Sequence, residues 1–125
     1  MTNKKHVLLS LLCFLILNFL QSCDKQHAKN LAGTYKCQVH YVYWDMTPNN
    51  IDSTYLEDLY VVREGKYLKV LDCKIHVDSL YQGQEYQFGE IHNYIKVQFK
   101  DKHLYVTRSS GGLGGNASRT YDGVK

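Results

Sequence analysis

Charge is missing from one long stretch of this sequence, and proline from nearly all of it. No charged residue falls between Val7 and Leu20, and Pro48 is the one proline in 125 residues. The four cysteines include no CxxC pair, which excludes a thioredoxin-type redox motif. GxSxG, HExxH and the Gly-Lys-Ser/Thr of a P-loop are also missing. Their absence removes the local signatures of a hydrolase elbow, a zinc-protease helix and a nucleotide cradle. Beyond residue 22 no apolar period of 3.6 lasts longer than a turn, which excludes a helical bundle.

What stands in the first 22 residues is a basic start, with Lys4 and Lys5, and then an uncharged core of 14 residues from Val7 to Leu20. That core is short of the ~20 residues a bilayer crossing needs. The layout is that of a secretory signal peptide, with an uncleaved anchor helix as the alternative. Leu20 and Ser22, placed just before Cys23, resemble the lipobox of bacterial lipoproteins. The resemblance implies cleavage before Cys23, acylation of its thiol and a further acyl chain on the new N-terminus. Several chains give stable membrane anchoring where one gives only marginal binding. The expected organisation is a signal peptide over 1–22, a lipidated polar tether over 23–31 and one domain over 32–125. The expected location is the bacterial cell envelope, lipid-anchored to the outer membrane.

Of the 15 Lys and Arg, Lys4 and Lys5 would leave with the signal, so 13 would face 12 Asp and Glu. Such a chain is close to neutral and carries no basic stripe, which argues against nucleic acid as a partner. Cys37 and Cys73 would remain beside the lipidated Cys23. In an oxidising envelope they are candidates for a disulfide, and two buried thiols acting as small hydrophobes are the other reading. Spacing alone leaves both open.

Period-two alternation rich in Tyr, Val and Ile fills the rest, which is strand chemistry. Residues 34–44 put Tyr35, Cys37, Val39, Tyr41 and Tyr43 on one face, and "DMTPNN" breaks that strand. A second strand over 54–62 turns back at "REGK". A turn on Glu64 and Gly65 sets Val61 against Leu68, whereas a three-residue turn sets Val62 there. The next strand, "YLKV" into "CKIHVDSL", changes its apolar parity at Leu71, and that slip requires a bulge or bend. A short strand is expected around Tyr86 and Phe88. The clearest hairpin turns at Asp101 and Lys102, with Phe99 against Leu104 and Val97 against Val106. "SGGLGGN" reads as a flexible loop before a last strand. Together these predict an all-β domain, a small antiparallel meander barrel or sandwich of seven to eight strands.

The strand opening with Gly33 and Tyr35 and the closing "YDGVK", with Tyr121, Gly123 and Lys125, resemble the lipocalin-like (calycin-like) small lipoproteins of Bacteroidota. That resemblance implies a barrel with an open end, without the Gly-x-Trp of true lipocalins.

Candidate chemistry is sparse. His40, His76, His92 and His103 fall among polar neighbours in no close pair, so no metal ligand set is expected. Glu57 and Asp58 are adjacent on a strand and point to opposite faces. Neither catalytic residues nor a cofactor are expected. The eleven tyrosines and one tryptophan are the compositional feature that stands out. Tyr41, Tyr43, Trp44 and Tyr60 are candidate binding aromatics, because each joins a large apolar face to a polar tip. The expectation is therefore a non-catalytic, lipid-anchored binding module for an unknown protein or small apolar ligand. The alternative is an envelope inhibitor or accessory protein acting through loops 45–52 or 110–117 of a filled barrel.

Overall fold

The computed structural model describes the backbone of residues 2–125 and the side chains of residues 3–17 and 27–125. The alternation beyond residue 32 folds into eight strands: β1 (Gly33–Asp45), β2 (Ile51–Glu64), β3 (Tyr67–Val70), β4 (Cys73–His76), β5 (Tyr86–Glu90), β6 (Asn93–Lys100), β7 (His103–Gly112) and β8 (Gly115–Val124). All neighbours pair antiparallel in one sheet of order β4-β3-β2-β1-β8-β7-β6-β5. The sheet curls into a half-barrel, so the all-β expectation holds. Pairing of the first long strand with the last protects both from being edges, and only β4 and β5 remain unpaired on one side.

Inward positions follow the period of two. Tyr35, Cys37, Val39, Leu59, Val61, Val97, Phe99, Leu104, Val106 and Tyr121 are buried on the concave face. The β6–β7 hairpin has the expected register, Phe99 opposite Leu104 and Val97 opposite Val106, with Asp101 left-handed in its turn.

Three other expectations are corrected. The β2–β3 turn sits on Gly65 and Lys66, one residue later than expected, so Val61 faces Val70 and Leu68 faces Arg63. This register opposes Val61 (3 % exposed) to the fully buried Val70 on the core side. Of the bulge or bend expected at Leu71 the structure has the bend, but as a full reversal: Leu71 adopts φ 55° and what reads as one strand turns back into a separate four-residue strand, β4. A 3₁₀ segment, Val77–Gly83, then crosses the base of the barrel and buries Val77 and Leu80. Finally, "SGGLGGN" is mostly strand. Gly111 pairs with Asn116 and Gly112 with Gly115, which leaves only Leu113 and Gly114 as the turn. A Cβ on Gly111 would lie 2.5 Å from the Gly115 carbonyl oxygen, and one on Gly115 would lie 2.6 Å from that of Trp44. Glycine here serves close strand packing.

The base is closed by the end of a helix, α1 (Thr2–Leu31). Ala28 is fully buried, and the His27 ring meets Tyr81 edge-on at 6.1 Å. The last carbonyls of a helix have no partner within it and carry partial negative charge. Tyr35 donates its hydroxyl to Leu31 O at 2.8 Å, and the Lys125 ammonium donates to the carbonyls of Asn30 and Ala32. The residues read as the end of the tether are therefore helical and docked on the barrel. Among the described residues no helix is long and apolar enough to cross a membrane.

Burial pushes the Tyr35 hydroxyl up to about 12 from its usual 10.0. A phenol that ionises later in the folded than in the unfolded state contributes stability that is whole below pH 10 and lost as pH rises towards 12. Tyr35→Phe is expected to cost about 1 kcal/mol at neutral pH, through the lost hydrogen bond to Leu31. It should also flatten the fall in stability between pH 10 and 12, as read from denaturant midpoints across that range. An unchanged alkaline slope would sink this assignment.

Candidate functional site

The lengths of the strands decide where the half-barrel is open. β1 and β2 have 13 and 14 residues, whereas β3 and β4 have four each. The short hairpin covers only the base half of the concave face. Above it the inward residues of β1, β2, β7 and β8 line an open trough.

Tyr41, Tyr43, Ser53, Tyr55, Arg108 and Arg119 share this face by register: Tyr41 pairs with both Ser53 and Arg119, and Arg119 with Arg108. The Arg119 guanidinium stacks on the Tyr41 ring, 4.9 Å from its centroid, a cation–π contact that fixes a long side chain. Arg108 makes a two-pronged pair with Asp72, Nη1 to Oδ1 at 2.6 Å and Nη2 to Oδ2 at 2.9 Å. Asp72 occupies the turn between β3 and β4, so this contact ties the tip of the short hairpin to β7 across the open seam. Two cavities meet at Arg108 and Ser110. One, of about 280 Å³, is lined by Asp72, Cys73, Phe88, Tyr94 and Ile95; the other, of about 240 Å³, by Tyr41, Ala117 and Arg119.

Hydrogen bonding from Arg108 holds the Asp72 carboxyl below its usual 3.8. The stabilisation from this pair is present above pH 3.8 and disappears as pH falls through the lower folded value. Both side chains are about half exposed or more, so Asp72→Asn should change global stability by at most ~1 kcal/mol. That is checked by denaturant unfolding at pH 7. At the trough mouth, Asp45 is held low by hydrogen bonds from Thr47 and Tyr43, and Tyr43 is raised in turn by its bond to Asp45.

The binding aromatics expected from sequence do not form one platform. Tyr41 and Tyr43 face the trough, but Trp44 has the opposite parity, and Tyr60 is 64 % exposed and level with Thr34 near the base. Alternation sends neighbours to opposite faces, so the four divide between two surfaces and two ends. Cys23 lies outside the described side chains. Cys37 and Cys73 are free thiols. Cys73 is level with Val70, Val61 and thus Gly33, four residues from Cys37 along β1 and three strands away. The strand rise and spacing put each offset above ~13 Å, beyond the ~7 Å limit for a bridge. Burial raises both thiols, with Tyr86 hydrogen-bonded to Cys73, and protonated thiols are poor nucleophiles. Among the described residues no three His, Cys, Asp or Glu side chains could hold a metal ion.

Asp72, Arg108 and Arg119 were not among the candidates from sequence. A signal was present: Arg108 and Arg119 are equidistant from Leu113–Gly114, so treating those two residues as a tight turn places the arginines opposite each other.

No protein-family model, curated protein or solved structure matches the chain.

Proposed function

We propose that the protein is a non-catalytic binding module of the bacterial cell envelope, anchored by lipid at Cys23, which takes a small ligand in the trough of its half-barrel. The observation that carries this reading is the division of the concave face. Its base half is filled by side chains such as Val39, Leu68, Leu104 and Val106, each fully buried. Its upper half is open and lined by aromatic rings beside positioned charges, the usual make-up of a small-molecule site. The docked end of α1 supports the anchoring geometry. With Ala28 and Leu31 packed on the base, only a few helical residues separate Cys23 from the barrel. At ~1.5 Å per residue the base would sit close to the membrane and the trough would face away from it.

Native mass spectrometry of the full-length chain, released from neutral detergent after incubation with an envelope extract, tests the binding. A retained small mass that is lost in Tyr41→Ala is the expected result, and a bare protein in every extract would overturn it. Acyl labelling in a bacterial host should disappear in Cys23→Ser.

A second reading, recognition of a protein by the rim, is favoured by the turn tips. Met46, Ile91 and Leu113 are 83 %, 84 % and 95 % exposed on three different connections around the open end.

A further inference from the structure

We infer that the trough selects an amphiphilic organic anion, its oxyanion held between Arg108 and Arg119 and its apolar part on Phe88 and Ile95. This rests on the reading of the trough as a ligand site and names the chemistry that site prefers.

The two arginines are two of the three in the chain, and β7 and β8 place them directly opposite each other. Directly opposed residues of an antiparallel pair have Cβ atoms ~5 Å apart, and like charges there destabilise the sheet. Asp72 neutralises one guanidinium. Among the described residues no carboxylate lies within ion-pair distance of Arg119. The other carboxylates on this face are set apart, Glu90 on the edge strand β5, three strands from β8, and two more by register. Asp45 is level with Gly115 and Glu57, through Cys37, with Gly123, each four residues along β8 from Arg119. An excess positive charge therefore stands at mid-trough, on a side chain that Tyr41 holds in place.

Asp72 takes two of the five N–H donors of Arg108, which leaves three on a guanidinium that this pair holds in place, and such groups bind oxyanions through their N–H donors. Ser110 lines both cavities and adds a hydroxyl beside the arginines. The 240 Å³ cavity holding Arg119 suits a carboxylate or phosphate head. The adjoining one continues to Phe88, which is 66 % exposed, and to Ile95. A ligand with its charge at one end and a ring or short chain at the other would fill both.

The test is calorimetric titration of the full-length protein, in neutral detergent, with phenyl phosphate, benzoate, inorganic phosphate and benzyl alcohol. The expected result is binding of both aromatic anions, tighter than inorganic phosphate and benzyl alcohol. The better of phenyl phosphate and benzoate identifies the oxyanion. Arg119→Gln should weaken the aromatic anions by about tenfold or more. Arg63→Gln, which removes the third arginine from the base end of β2, should leave them unchanged. If benzyl alcohol binds as well as the anions and Arg119→Gln has no effect, the anion site is wrong while the binding trough stands. If none of the four probes binds at millimolar concentration, both are wrong.

Discussion

Replacing Gly123 by alanine is expected to destabilise the protein by about 1–3 kcal/mol, a large effect for one methyl group on a strand residue. Gly123 pairs with Cys37 on one side and Leu104 on the other, so ladders hold its backbone on both edges. An added Cβ would overlap Cys37 Sγ and stand 3.2 Å from Tyr35 Cβ. Both neighbours are themselves buried, at 1 % and 3 % exposure, and close-packed interiors have no room into which they can move. The clash is with a particular atom, and so it is reversible by design. Cys37→Ala removes that sulfur, and the double variant Gly123→Ala/Cys37→Ala should be more stable than the sum of the single costs by about 0.5–3 kcal/mol. Urea midpoints of the four proteins measure the coupling. Strict additivity would mean that the thiol is not what excludes a side chain at position 123.

The second large effect separates two leucines that composition cannot tell apart. Leu104→Ala should cost about 2–5 kcal/mol, because it deletes a fully buried core side chain near the start of β7 and leaves a void. Leu56→Ala should cost no more than ~0.5 kcal/mol, since Leu56 is 85 % exposed on the convex face of β2. Thermal or denaturant unfolding of both variants reads the difference directly. Equal losses would show that the convex face of β2 is covered by something in solution, and the sidedness of the sheet would need revision.

These two expectations also mark how far the sequence carries. Leu104 is legible as core because the β6–β7 hairpin has a two-residue turn and apolar residues at matching positions on both strands. Leu56 is legible as outward only once β2 is known to alternate with Leu59 and Val61 inward. Gly123 stood out in sequence only as part of the closing motif, and the reason for glycine there was not legible, since the demand comes from Cys37, 86 positions earlier along the chain and on the neighbouring strand. The same holds at the candidate site. Tyr41 was identified from its chemistry. Its partner Arg119 became significant only when β1 paired with β8, and Asp72 only when the chain reversed at Leu71.

By itself, the sequence determined the element type and the wet and dry side of most strands, because a period of two is local and each side chain reports its own face. It also determined the tightest hairpin, where turn and pattern agree within a few residues. Tertiary structure alone decided the closure of the first strand on the last, the docking of α1 on the base and the opening above the short β3–β4 hairpin. Those depend on contacts between residues far apart in the chain, which no local periodicity encodes. The trough with its two facing arginines exists only at that level.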